Sequence, residues 1–198
     1  PALCPRYHLG PMPQQTLAAA LYQCIDLPEY ADWQQPLQDL CDARHVKGLL
    51  LLAHEGVNGT IAGQPDDVHA VLDWLKRDAR LANLVHKEAY ADRNPFYRMR
   101  VRLKREIVTL GVPALNPALN AGQYVKPADW NALISQPDVV LVDTRNDYEV
   151  GIGSFEGAIN PHTQSFSDFP AWVAAQSQPG GALHGKDKVA MFCTGGIR

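Results

Sequence analysis

The chain has 198 residues, with 18 Lys/Arg against 21 Asp/Glu for a formal net charge of −3, and is 46% hydrophobic and 20% charged. Those proportions are those of a globular protein with chain enough for one large or two small domains, and they exclude low-complexity and disordered classes. No apolar run reaches transmembrane length, and the start lacks the basic and long apolar regions of a secretory signal.

Cys4, Cys24, Cys41 and Cys193 lie far apart and form no C-x-x-C pair. That favours free thiols in a reducing compartment, by default the cytoplasm, over a disulfide frame or a zinc site. Charge is unevenly spread: residues 81–110 carry seven Lys/Arg and three Asp/Glu, whereas both flanking regions are acidic. A polyanion is therefore expected to touch that middle segment. The chain starts on Pro1 rather than Met and stops on a loop arginine. Both ends read as cut, and the expectation is a fragment of a longer protein.

Residues 1–16, rich in proline, read as a disordered lead-in. Leu17 to Leu27 reads as a strand. Glu29 to Ala43 spaces Tyr30, Trp33, Leu37, Leu40 and Cys41 along one helix face, with Pro36 expected to kink the helix or delay its start. Val46 to Ala53 is an apolar strand. Gly56-Val57-Asn58-Gly59 contains the Asn-Gly pair of a hairpin turn, and Thr60 to Ala62 is the returning strand. Pro65-Asp66-Asp67 opens a helix with proline and acids in its first turn, and Val68, Val71, Leu72 and Leu75 form its apolar face. Leu84 to Ala89 is a further strand. The order βαββαβ is that of a ferredoxin-like domain, expected over residues 17–110.

Arg98-Met99-Arg100-Val101-Arg102-Leu103-Lys104 alternates without a break. A strand puts Arg98, Arg100, Arg102 and Lys104 on one face. A solvated face is the plain alternative, but four adjacent cations repel one another. A nucleic-acid backbone would relieve that repulsion.

Residues 111–122, with Pro113 and Pro117, read as a linker. From 123 to 198, helices starting at Pro127 and near Ser165 alternate with a buried strand Val139 to Asp143, a short helical turn from Asp147 to Val150, a small strand at Ala158-Ile159, and a last buried strand Val189 to Phe192. That pattern is half of an open α/β domain.

Two stretches there carry chemistry. Asp143-Thr144-Arg145 closes a buried strand, where α/β sheets place ligands. Asp143 and Arg145 are expected to brace a loop, with Glu149 one helical turn on available to pair with Arg145. Cys193 follows the last strand and opens Thr194-Gly195-Gly196-Ile197-Arg198. Glycines let backbone N–H groups curl into an anion-binding nest, and those dipoles with a guanidinium favour a thiolate. Cys193 therefore reads as a nucleophile rather than a core cysteine. His54-Glu55 beside the hairpin turn reads either as an RNA contact or as a locally satisfied pair. With no third ligand in sequence it makes no metal site.

Val142-Asp143-Thr144-Arg145, Tyr148-Glu149, Phe155 to Pro161 and Cys193 to Arg198 together resemble the first half of a rhodanese domain, in which the loop cysteine carries a persulfide. A six-residue loop goes with sulfur transfer, and a longer one with the related dual-specificity phosphatases. Adding Ala53 to Gly59, Pro95 to Val101 and Lys104 to Val108, the chain from about residue 17 to 198 resembles the TrhO (YceA-like) tRNA uridine hydroxylase family.

That resemblance implies an α/β protein: a ferredoxin-like (acylphosphatase-like) domain followed by a truncated rhodanese-like open α/β domain. It implies oxygen-dependent formation of 5-hydroxyuridine at the tRNA wobble position, with Cys193 as the catalytic thiol. Thr194 to Arg198 stabilise its anion. Asp143, Arg145 and Glu149 support the loop, and Arg98, Arg100, Arg102, Lys104 and His54 meet RNA. Molecular oxygen is the implied co-substrate, no other cofactor is evident, and a persulfide donor protein is a possible partner.

The sequence departs from the rhodanese pattern at Gly153-Ser154-Phe155, where rhodaneses often carry a histidine, and it lacks everything past the loop. The expectation is an inactive or weakly active fragment. A plain sulfurtransferase and a non-catalytic RNA-binding adaptor stand as alternatives.

Overall fold

The structure is a computed structural model and describes residues 15–112, 115, 117 and 122–197. The lead-in reading for residues 1–16 therefore lies almost wholly outside the described residues, as does Arg198. The chain divides into two compact units. The first holds the chain up to Gln23 with Glu29–Leu52 and Val57–Leu103; the second holds Cys24–Pro28, Ala53–Gly56 and the chain from Lys104 on. Among the described residues no helix is long and apolar enough to cross a membrane.

The first unit is built on a five-stranded sheet. Its elements run β1 (Thr16–Cys24), α1 (Gln34–Ala43), β2 (Lys47–Ala53), β3 (Gly56–Gly63), α2 (Pro65–Lys76), β4 (His86–Ala91) and β5 (Met99–Leu103). The spatial order is β4-β1-β3-β2-β5, with β1 and β4 antiparallel and β2 and β5 parallel. The first four strands with the two helices are the ferredoxin-like βαββαβ arrangement, and β5 extends the sheet beside β2.

Leu17, Ala19 and Leu21 of β1, Leu50 and Leu52 of β2, and Ile61 of β3 are buried with Leu37 and Cys41 of α1 and Val68, Val71, Leu72 and Leu75 of α2. This alternation along the strands and the three-to-four spacing along α2 are the periodicities that bury one face of each element. Trp33 meets Trp74 edge to face at 5.5 Å, linking α1 to α2.

One expectation for this unit is narrowed and one needs correction. α1 begins at Gln34 rather than Glu29, the delayed start that is one of the two outcomes expected of Pro36, which lies in its first turn. The missing N–H costs nothing there, since the first N–H groups of a helix have no partner within it. Asn58-Gly59 is not a turn but lies inside β3, and the chain reverses at His54-Glu55. Gly59 is needed for a close approach: a Cβ there would sit 2.0 Å from the Leu49 carbonyl oxygen. Gly48 is the reciprocal case, with φ at 144° and a Cβ position 2.2 Å from the Thr60 oxygen.

In the second unit, α3 (Pro127–Ile134), β6 (Val139–Asp143), α4 (Asp147–Val150), α5 (Phe169–Gln176) and β7 (Lys188–Phe192) follow in order. β6 and β7 pair in parallel from Val139↔Lys188 to Asp143↔Phe192. Ile159 bonds along the other edge of β6, donating to the Leu141 oxygen at 2.8 Å and accepting from the Asp143 N–H at 2.9 Å. Leu141, Val142 and Asp143 are buried, as the sequence predicts. β7 is less so. Ala190 is buried, but Val189 and Met191 are 41% and 44% exposed. Among the described residues β7 pairs with β6 alone, and Met191 stays partly exposed although Val142, its partner on the same face, is buried.

Candidate functional site

Cys193 stands where β7 ends. The strand end is held from β6: the Thr144 N–H and hydroxyl both donate to the Phe192 oxygen, at 3.1 and 2.8 Å. The Phe192 ring packs edge to face on Phe155 at 4.9 Å and on Trp130 at 6.2 Å. Two aromatic rings from two other segments thus pack on the residue before the cysteine. Beyond it the chain curls back, and the Gly196 N–H, with φ at 77°, donates to the Cys193 Sγ at 2.9 Å. A backbone N–H aimed at sulfur stabilises a thiolate more than a thiol. The Thr194 hydroxyl donates to the Glu149 carboxylate.

The support lies one strand away. The Asp143 carboxylate is fully buried and accepts from Arg145 Nε at 2.9 Å, Arg145 Nη2 at 2.7 Å, the Arg145 N–H at 3.1 Å and Ser154 Oγ at 2.7 Å. Burial opposes its charge, but the guanidinium and the serine hydroxyl outweigh that and hold the carboxyl below the usual carboxylate range. Arg145 also donates to the Gly153 oxygen at 2.6 Å and lies 5.5 Å over the Phe192 ring. One guanidinium therefore touches β6, the 151–154 loop and the residue next to the cysteine.

Glu149 does not pair with Arg145. It accepts from Thr194 and, at 3.1 Å, from the Asn146 N–H in a capping box at the start of α4. Its charge acts on Arg145 only from nearby. Helix capping engages one carboxylate oxygen and the loop threonine the other.

Cys41 is buried, and its thiol is pushed up to about 12, by burial first and the Asp42 charge second. Burial also raises the Cys24 thiol, with the Glu55 charge adding to it.

The cationic row divides between the two units. Met99 and Val101 are buried, whereas Arg98 and Arg102 are exposed and Arg100 is half-exposed, so β5 alternates as its sequence does up to Leu103, which is also exposed. By register, Arg100 and Arg102 share a sheet face with Leu49 and Leu51 of β2. The edge of β5 is closed by α1: Gln34 Nε2 donates to the Val101 oxygen and the Val101 N–H donates to Gln38 Oε1, both at 2.9 Å. Side chains thus take the place of a sixth strand.

Lys104 and His54 belong to the second unit. They line one cavity of about 820 Å³ together with Asp26, Glu55, Arg105 and Glu106. Its carboxylates are engaged: Glu55 accepts from the Ile107 N–H, Glu106 from the Leu110 and Gly111 N–H groups, and Asp26 faces His54 at 3.3 Å. Among the described residues no carboxylate lies within 4.0 Å of the charged ends of Arg98, Arg100, Arg102, Lys104 or Arg105.

Sequence reasoning missed Ser154 and Thr144. Ser154 carried a signal, since it follows Gly153 in the segment where the rhodanese pattern places a histidine. Thr144 carried none, because its role depends on β7 lying alongside.

Residues 16–107 match the family model of the UPF0176 acylphosphatase like domain. A tRNA uridine(34) hydroxylase of Albidiferax ferrireducens is 60% identical over 182 residues, covering 92% of this chain and 57% of that protein. Proteins of the same name from Sinorhizobium medicae and Rhizobium etli are 55% identical over 186 residues and 53% over 191, covering 94% and 96% of this chain and 58% and 59% of theirs. The chain thus spans somewhat under three fifths of the length of these relatives. Among solved structures, an acylphosphatase from Coxiella burnetii matches at 11% identity, covering 45% of this chain and 94% of that one, with a TM-score of 0.33.

Proposed function

We propose that this chain, as a member of the tRNA uridine(34) hydroxylase family, forms part of an enzyme that converts the wobble uridine of tRNA to 5-hydroxyuridine. The observation that carries the reading is identity of 53–60% to proteins of that name over 92% or more of the chain. Residues 17–110 form the ferredoxin-like domain, 111–122 link it onward, and 123–198 are the first half of a rhodanese-type domain. Cys193 is the catalytic thiol. The Gly196 N–H donates to its sulfur, and Thr194, Gly195, Ile197 and Arg198 are assigned to the same loop. Asp143, Arg145 and Glu149 hold the loop in place.

The reaction takes molecular oxygen as co-substrate and proceeds in the cytoplasm. Arg98, Arg100, Arg102, Lys104 and His54 contact the tRNA phosphates. That no carboxylate of the described residues lies within 4.0 Å of these arginines or Lys104 supports that role, because such cations are available to displace counterions from RNA.

Nucleoside mass spectrometry of tRNA from cells that lack the native enzyme tests the reading. The full-length protein is expected to restore 5-hydroxyuridine, and its Cys193→Ala variant is expected not to. Restoration by that variant overturns the role of the thiol. For the RNA surface, Arg100→Glu with Arg102→Glu is expected to weaken tRNA binding and flatten its salt dependence. Unchanged binding removes β5 from the site.

One observation favours a second reading. A cysteine sulfur that accepts a loop N–H is also suited to carry a persulfide from a donor protein. Thiosulfate-to-cyanide turnover by the full-length protein that survives deletion of residues 1–110 would favour a plain sulfurtransferase.

A further inference from the structure

We propose that Tyr97 is a stacking platform for an unpaired nucleobase of the bound RNA, with Arg93 and Arg98 holding the phosphates on either side of that base. The inference rests on the RNA-binding reading and names the part of the RNA that the first unit recognises.

Tyr97 is 98% exposed, so its ring contributes nothing to the core. A single exposed aromatic is unremarkable by itself. Here its backbone is fixed. The Asn94 side chain donates to the Ala62 oxygen of β3 at 2.9 Å and accepts from the Phe96 N–H at 2.9 Å, while the Arg98 oxygen accepts from the Gly48 N–H at 3.1 Å. The loop from β4 to β5 is thereby tied to two other strands on both sides of Tyr97. A ring on a fixed backbone has only two side-chain torsions to immobilise, so ordering it on a ligand costs little.

The surroundings select the ligand. Arg93 and Arg98 are exposed and have no carboxylate within 4.0 Å among the described residues. Asp92 offsets one of these charges formally. Beyond Arg98 the row continues through Arg100 and Arg102 along β5. Residues Ala91 to Tyr97 also line a concavity of about 830 Å³, room enough beside the ring for a base. An aromatic face next to a line of cations is the combination that binds single-stranded nucleic acid: stacking holds the base and the cations track the backbone. A protein partner would equally use the aromatic, but it would have to supply acids along the whole row.

The test measures binding of the chain to a labelled anticodon stem-loop RNA and to a blunt RNA duplex of matched charge, by fluorescence anisotropy. Tyr97→Ala is expected to weaken stem-loop binding about tenfold or more and to leave duplex binding unchanged. Tyr97→Phe keeps the ring and is expected to bind the stem-loop within about twofold of the parent. Wild-type stem-loop affinity for Tyr97→Ala, or equal losses on both RNAs, overturns the platform. If Arg100→Glu with Arg102→Glu loses binding in the same assay while Tyr97→Ala does not, the platform fails and the RNA surface stands. If the parent chain binds neither RNA, the RNA reading itself fails.

Discussion

Arg145 grips Asp143 at two points, Nε on Oδ1 at 2.9 Å and Nη2 on Oδ2 at 2.7 Å, and the carboxylate it holds is completely buried. A parallel fork of this kind fixes both side chains in one geometry. The pair also reaches the strand end before Cys193, with the Arg145 guanidinium 5.5 Å over the Phe192 ring.

Removing one partner of a buried pair leaves a charge without compensation. Arg145→Ala is expected to destabilise the second unit by about 3 kcal/mol. The double variant Arg145→Met with Asp143→Leu is expected to recover part of that loss, since neither charge then remains. Urea unfolding followed by the fluorescence of Trp130 and Trp172, in a background without the other tryptophans, measures both.

Stability should follow pH through the same carboxylate. Its folded value lies below the ordinary one, so the unfolded chain takes up the proton first as the pH drops. The stability it contributes is complete above its unfolded value of about 3.9 and is lost as pH falls below that through the folded value. Thermal melts of the parent are expected to hold steady from neutrality to about pH 5 and to fall below about pH 4. Asp143→Asn, though less stable throughout, is expected to show a shallower acid slope.

Thiol labelling should separate the described cysteines. With iodoacetamide at mildly alkaline pH, Cys193 is expected to react while Cys41, buried and pushed up to about 12, stays unmodified until the chain is unfolded. Peptide mass spectrometry reads the order, and early alkylation of Cys41 would contradict the packing around α1.

Gly59 is a sharp test of sheet geometry. Gly59→Ala places a methyl group 2.0 Å from the Leu49 oxygen, against backbone that is itself paired in β2. The expected loss is about 3 kcal/mol, the upper end for overpacking, and the melting temperature should fall accordingly. Were Asn58-Gly59 a hairpin turn, alanine would cost much less. A turn at Asn58-Gly59 is the natural expectation, because Asn-Gly is the strongest short-range turn signal. The two uses of glycine, a positive φ at a turn and a missing side chain at a strand crossing, look alike until the neighbouring strand is in place.

Other parts of the molecule were legible for good physical reasons. The alternation expected from Arg98 to Lys104 survives in β5 only as far as Arg102, because a strand has only two faces and Met99 and Val101 are buried, whereas Leu103 is 38% exposed. The apolar spacing of Val68, Val71, Leu72 and Leu75 survives as the buried side of α2 for the same kind of reason. Glu149 was misplaced because a helical-turn spacing from Arg145 says only that two side chains can approach. Asn146 and Thr194 compete for the same carboxylate, and Thr194 is 45 residues away in sequence.

The sequence by itself determined the periodic elements, the uneven charge, and the cysteine on a glycine-bearing loop, because these depend on residue type at short separation. Only the tertiary structure decided that Ser154 reaches Asp143, that Thr144 fastens the end of β7, that Gln34 and Gln38 close the edge of β5, and that Tyr97 stands clear of the core. Each of these is a contact, or the lack of one, between residues beyond the reach of local helix or strand spacing, from 11 residues apart for Ser154 and Asp143 to 67 for Gln34 and Val101. Local propensity carries no information about such pairs, because a hydrogen bond or a covering side chain is fixed by where the two segments meet in space.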